Sequence, residues 1–119
     1  IISLKSLLKY LVKTYKIDKK YILGHSDIAP NRKKDPGEKF PWKDLSKIKL
    51  CNWHNLDEKK LKKTRLVKLT INEQKEFLKN LIKIGYKKMA SSNFKNEKKL
   101  LFKAFQRRYC ICSSRGCAK

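Results

Sequence analysis

The most distinctive stretch of this chain is Gly24-His25-Ser26-Asp27-Ile28-Ala29-Pro30-Asn31-Arg32-Lys33-Lys34-Asp35-Pro36-Gly37. It places a histidine, His25, ten residues before an aspartate, Asp35, on a segment that prolines punctuate. A neutral imidazole and a carboxylate are both ligands that Zn²⁺ accepts in proteins. Lys33 stands two residues before Asp35, and in a metal hydrolase such a cation can stabilise a developing oxyanion. The residue types are therefore compatible with a metal-dependent hydrolase.

On these residues alone the interpretation stays open, because a catalytic zinc site needs three protein ligands and one open position. The alternative is a histidine on the surface or in a hydrogen-bonded core, followed by the common turn sequence of residues 35–37. Lys33 is then one of many lysines.

The segment before this loop predicts a helix followed by a strand. Apolar residues at helical spacing predict a helix over residues 3–16. They are Leu4, Leu7, Leu8, Leu11, Val12 and Tyr15. The run Tyr21-Ile22-Leu23 has β propensity and ends at Gly24, which predicts a buried strand. His25 would then stand at the carboxyl end of that strand, where mixed α/β sheets carry their chemistry.

The residues after the loop predict helices. A short helix is expected at 42–45, and a linker over 57–68. Thr70 and Glu73 form a capping-box pattern that opens a helix with an apolar stripe, and Gly85 is suited to end it. A third helix is expected over residues 97–108. Its helically spaced positions are Leu100, Leu101, Ala104, Phe105 and Arg108.

The formal net charge of +22 raises the question of a nucleic-acid partner. The basic residues are overwhelmingly lysines spread along the whole chain, whereas readers of base edges favour bidentate arginine. The accompanying Ile and Asn residues indicate the base composition of an AT-rich gene. We therefore disfavour nucleic acid, while a cationic surface would still aid approach to an anionic polymer such as a cell wall.

Cysteines and hydropathy add little about function. The sequence has four cysteines, Cys51, Cys110, Cys112 and Cys117, and their spacing is not that of paired metal ligands. Only one histidine, His54, lies near any of them in the sequence. We therefore expect free thiols rather than a structural zinc site. No stretch reaches the length of a transmembrane segment.

The run from Gly24 to Gly37, with Phe40-Pro41-Trp42 after it, resembles the zinc-ligand loop of the N-acetylmuramoyl-L-alanine amidases. These are the relatives of phage T7-type lysozyme and of bacterial peptidoglycan-recycling amidases. The resemblance implies that His25 and Asp35 are zinc ligands, that Lys33 is catalytic and that Zn²⁺ is the cofactor. The implied reaction hydrolyses the amide between N-acetylmuramic acid and L-alanine in peptidoglycan or muropeptides. Asn31 stands where that family usually has glycine.

Residues 70–109 are similar to the first two helices of a small peptidoglycan-binding module found in some of these amidases. The expected fold class is therefore an α/β (α+β) fragment: a helix-strand-loop remnant of a mixed-sheet amidase domain, followed by a small all-α module. The corresponding domains are residues 1–50 for the catalytic part, 51–69 for a linker, 70–109 for the partial module and 110–119 for an atypical tail.

The family's first zinc-binding histidine has no counterpart in this sequence, and His54 is not at a position that would replace it. We therefore expect a truncated amidase that is inactive or nearly so alone, unless a separate polypeptide supplies the missing half. The alternatives are a non-catalytic cell-wall-binding module, a basic nucleic-acid-binding protein, or the product of a decayed gene. The compartment stays open; a bacterial envelope or periplasm is favoured over the cytoplasm.

Overall fold

The computed structural model describes residues 2–64, 67–88 and 94–110, so Cys112, Cys117 and most of the predicted tail lie outside it. The α-helices are α1 (Ile2–Tyr15), α2 (His25–Ile28), α3 (Trp42–Lys47), α4 (Glu58–Thr64), α5 (Ile71–Lys83) and α6 (Phe94–Tyr109), with a 3-10 helix at Lys19–Tyr21. None of the helices in the described ranges is long and apolar enough to cross a membrane.

The predicted α/β class is wrong, because the described residues form helices and contain no strand. The expected strand at residues 21–23 is instead the end of the 3-10 helix and an extended segment after it. Asp18 starts this turn, since its side chain accepts a hydrogen bond from the Lys20 amide at 3.1 Å. A segment forms a β-strand only when its backbone hydrogen-bonds to a neighbouring strand. The Ile22 carbonyl instead accepts a hydrogen bond from the Arg108 side chain.

The helices predicted from local signals are confirmed with small shifts at their ends. The first runs over Ile2–Tyr15 and the last begins at Phe94, three residues before its expected start. Helix α3 extends two residues beyond the expected 42–45. Within the segment predicted as a linker, Glu58–Thr64 forms a helix.

The capping box of α5 forms as its sequence pattern predicts. The Glu73 carboxylate accepts from the Thr70 amide at 2.7 Å, and the Thr70 hydroxyl accepts from the Glu73 amide at 3.3 Å. Hydrogen bonds from the Thr70 backbone amide, and next from the Thr70 side chain, hold the pKa of the Glu73 carboxyl below its usual value. After the helix, Gly85 adopts φ +100°, a left-handed conformation that glycine enters without the usual steric cost.

The buried side chains form two clusters. The first contains Trp42, Leu45, Leu50 and Cys51, against which Leu8 and Val12 of α1 pack. The second contains Leu78, Leu81, Tyr86, Leu101, Ala104 and Tyr109, and joins α5 to α6. Trp53 packs against both clusters. Trp53 therefore joins the cluster around Trp42 to the cluster between α5 and α6.

Candidate metal site and the contacts that support it

The two residues predicted as metal ligands lie side by side. His25 is the first residue of α2, and its Nδ1 lies 3.2 Å from Asp35 Oδ2. The Ser26 amide donates to the Asp35 carbonyl at 2.9 Å, which closes the loop between them. Both side chains are open to solvent, with exposed fractions of 49% and 61%. The loop thus presents an imidazole and a carboxylate together at the surface.

This pair matches the donor set that zinc prefers. Two donors that bind one tetrahedral Zn²⁺ at about 2.0 to 2.2 Å lie roughly 3.3 to 3.6 Å apart, which is close to the separation of His25 Nδ1 and Asp35 Oδ2. No group of three or more His, Cys, Asp or Glu side chains that could hold a metal occurs among the described residues. The pair therefore fits two positions of a zinc site.

Lys33 lies on the same loop. Its amide donates to the Ala29 carbonyl at 2.9 Å, and its side chain is exposed, with no salt bridge to any residue that the structure describes. A solvated ammonium on this loop is available to an anion. Its predicted catalytic role stays a prediction.

Asp27 is the feature of this loop that sequence analysis missed. Its side chain is 1% exposed, and Oδ2 accepts from the Gly24 amide at 2.9 Å and from Arg108 Nη1 at 2.9 Å. The Gly24 contact is local, and an acid at this place in the first turn of a helix is a recognisable signal. The Arg108 contact crosses 81 residues, and no local pattern identifies it.

Arg108, at the end of α6, is 3% exposed and has three kinds of partner. Besides the ion pair with Asp27, Nη2 donates to the Ile22 carbonyl at 3.1 Å. The guanidinium also lies over the Trp42 ring, with Cζ 4.0 Å from the ring centroid. Arg108 stands at helical spacing with apolar residues in the sequence and is buried in the structure, but the spacing indicates no role for it.

Gly24 is packed tightly beside this ion pair. A Cβ atom at this position would lie 2.8 Å from Pro36 Cδ and 3.3 Å from the Trp42 ring. Only glycine lets the backbone before His25 approach the residue after Asp35 so closely.

His54 and Cys51 belong to the packed interior instead. His54 Nε2 is 3.3 Å from the Tyr109 carbonyl, and its ring stacks on Trp53 with centroids 4.9 Å apart. The Cys51 thiol donates to the Trp42 carbonyl, and burial raises the pKa of this thiol.

Comparisons with known proteins show which proteins the loop and its surroundings are similar to. Residues 1–38 match the family model described as N-acetylmuramoyl-L-alanine amidase. The N-acetylmuramoyl-L-alanine amidase AmiD of Escherichia coli is 39% identical over 51 residues, which cover 43% of this chain and 18% of that protein. The 1,6-anhydro-N-acetylmuramyl-L-alanine amidase AmpD of Haemophilus influenzae is 49% identical over 49 residues, covering 40% of this chain and 27% of that protein.

A solved structure extends the similarity beyond the loop. It is the complex of the E. coli amidase AmiD with anhydro-N-acetylmuramic acid-L-Ala-D-gamma-Glu-L-Lys, which matches with a TM-score of 0.68 and 28% identity. The match covers 90% of this chain and 41% of that one. The chain thus spans less than half the length of each relative. Residues 1–38, including the loop with His25 and Asp35, are thus similar to the N-acetylmuramoyl-L-alanine amidases.

Proposed function

We propose that this chain is a segment of a zinc-dependent N-acetylmuramoyl-L-alanine amidase, in which His25 and Asp35 hold the metal and Lys33 acts on the substrate. The observation that carries the proposal is the 3.2 Å approach of His25 Nδ1 to Asp35 Oδ2 on a solvent-open loop. The amidase match over the same residues supports the reaction class.

Each residue has a separate task in this proposal. A bound Zn²⁺ acts as a Lewis acid and lowers the pKa of its water to about 7. His25 and Asp35 orient the site, because the bond between the Ser26 amide and the Asp35 carbonyl fixes their separation. The exposed ammonium of Lys33 opposes the negative charge that develops on the carbonyl oxygen of the scissile amide.

The proposed substrate class is a muropeptide or peptidoglycan with an amide between N-acetylmuramic acid and L-alanine. The solved relative holds anhydro-N-acetylmuramic acid bonded to such a peptide, which supports this class. The basic surface would favour approach to an anionic wall polymer.

Two ligands do not complete a catalytic zinc site, so we propose that the chain alone has little or no amidase activity. A third ligand would come from outside the described residues or from a second polypeptide. The test is incubation of the purified chain with Zn²⁺ and muropeptides, with chromatographic detection of the released peptide. Robust cleavage would overturn the proposed inactivity but support the reaction class.

The metal assignment has its own test in a titration of the chain with Zn²⁺ by calorimetry. We expect binding that His25→Ala and Asp35→Asn each weaken at least tenfold, because loss of even a residue that supports a metal ligand costs about 10- to 100-fold in affinity. Asp57→Asn is the matched control, since Asp57 is exposed and lies on another loop. Equal affinity in all four proteins would contradict the assignment of His25 and Asp35.

A non-catalytic wall-binding module is the second candidate. It rests on the resemblance of residues 70–109 to a peptidoglycan-binding module, a region that the match to the solved amidase, covering 90% of this chain, also reaches. Cosedimentation of the full-length His25→Ala variant with purified peptidoglycan tests it. Retained binding supports a binding role, and loss of binding argues against it. A bacterial envelope or periplasm is the compartment we propose, to be tested by cell fractionation, with the cytoplasm as the alternative outcome.

A further inference from the structure

We infer that Arg108, at the end of the C-terminal helix α6, is a positioning residue for the metal-ligand pair His25 and Asp35. The inference rests on the proposed function, because it assumes that this pair binds metal. It goes beyond that function by giving the C-terminal helices a direct part in shaping the site.

The first contact path leads from Arg108 to His25. Arg108 Nη1 donates to Asp27 Oδ2 at 2.9 Å, and the same oxygen accepts from the Gly24 amide at 2.9 Å. The Asp27 side chain thus fixes the residue before His25 and lies on the four-residue helix that His25 begins. Both partners of the ion pair are almost completely buried, so water does not replace either one freely.

The second path leads from Arg108 to Asp35. The guanidinium lies over the Trp42 ring at 4.0 Å, and the same ring is in contact range of Gly24. Gly24 in turn approaches Pro36, the residue that follows Asp35. One side chain from α6 therefore supports both ends of the loop that carries the two donors.

Backbone contacts strengthen this connection. The Lys87 amide, just after α5, donates to the Asp27 carbonyl at 3.3 Å. A Cβ at Gly85 would lie 2.9 Å from a Leu23 methyl and 3.0 Å from the Lys20 carbonyl, which indicates close packing of the two segments. The segment before the loop is thus already held against the C-terminal part, and Arg108 supplies the charged contact at its centre.

Residues behind metal ligands typically change affinity by about 10- to 100-fold when they are mutated. We therefore expect Arg108→Met to weaken Zn²⁺ binding by the full chain on the order of tenfold. Arg107→Met is the matched control, because Arg107 is the neighbouring arginine of α6 and forms no salt bridge with a described residue. It should leave the affinity unchanged.

A second readout does not need metal. Amide hydrogen exchange at Ser26 reports the bond to the Asp35 carbonyl, and exchange at Leu81 reports the core of α5 and α6. For each amide we compare the exchange rate in Arg108→Met with the rate in the wild type. We expect this ratio to be at least tenfold larger for Ser26 than for Leu81. Equal acceleration of both amides would mean that Arg108 acts only on overall stability, and would overturn the inference.

If Arg108→Met does not fold, Arg108→Lys takes its place, since lysine keeps the charge toward Asp27 but lacks the planar fork. Selective acceleration at Ser26 supports the inference in that variant too, and uniform exchange overturns it. If the wild-type chain does not bind Zn²⁺, the proposed metal site is contradicted, but the inference about Arg108 is not. The Ser26 measurement then still decides whether Arg108 positions the loop.

Discussion

Two side-chain contacts of the loop, His25 with Asp35 and Asp27 with Arg108, differ in sequence separation and in exposure. His25 and Asp35 lie ten residues apart in sequence, and their side chains are 49% and 61% exposed. Asp27 and Arg108 lie 81 residues apart, and their side chains are 1% and 3% exposed. Exposed ion pairs contribute about 0 to 1 kcal/mol to stability, whereas removal of one partner from a buried pair costs several. The exposed pair is free to serve a ligand, and the buried pair keeps the loop in place.

The strongest test of this comparison is Asp27→Ala against Asp35→Asn. Asp27→Ala leaves the Arg108 guanidinium buried without its carboxylate, so we expect a loss of about 3 to 5 kcal/mol in the free energy of unfolding. Asp35→Asn should change it by less than about 1 kcal/mol. Urea denaturation followed by the fluorescence of Trp42 and Trp53 measures both. Similar losses in the two variants would contradict the distinction.

A smaller effect is expected where the two contacts meet. Gly24→Ala places a methyl group against Pro36 and the Trp42 ring, and overpacking of this kind costs about 1 to 3 kcal/mol. It should also weaken Zn²⁺ binding, because it moves the residue before His25 away from the residue after Asp35.

Gly37→Ala is the control for that variant. Gly37 has φ +77° and no atom within 4 Å of its would-be Cβ, so backbone strain alone should cost about 1 kcal/mol. An equal loss of zinc affinity in both variants would show that crowding at Gly24 is not the cause. Calorimetry and urea denaturation provide the two measurements.

The smallest expected effect concerns pH near the buried pair. Burial, and next the nearby Asp27 carboxylate, raise the pKa of the Tyr86 phenol far above its ordinary value of 10.0. Burial likewise raises the pKa of Tyr109. Each phenol is protonated in both folded and unfolded states below about pH 10, so its contribution to stability is fully present there. Above that pH the unfolded chain ionises first, so stability falls as pH rises.

Tyr86→Phe removes one of these groups and should make the fall in stability between about pH 9 and 11 shallower. The Tyr86 hydroxyl is buried beside the Asp27 carboxylate, so its removal should cost about 0.5 to 1.5 kcal/mol at neutral pH. Tyr10→Phe is the control, because Tyr10 is 64% exposed. Urea midpoints across this pH range give the comparison. If the urea midpoints of the wild type and Tyr86→Phe fall equally steeply with pH, this prediction is wrong.

Local signals in the sequence predicted helices α1, α3, α5 and α6. The capping box at Thr70 and the apolar stripe of the first helix act within a few residues, so their effect is readable without the rest of the fold. The predicted strand at residues 21–23 was wrong because a strand depends on distant parts of the chain. β propensity reports only that a segment suits a sheet, and the described part of the chain offers this segment no neighbouring strand.

The sequence by itself determined the family that the loop resembles, the identity of the two candidate ligands and the approximate positions of helices α1, α3, α5 and α6. These depend on residue types at short spacing, which fix hydrogen bonds and donor chemistry locally. Only the tertiary structure decided that Asp27 is buried, that Arg108 neutralises it, and that Trp42 and Gly24 link this pair to Asp35. Such contacts depend on chain segments that meet only when the cores pack, and no local pattern carries that information.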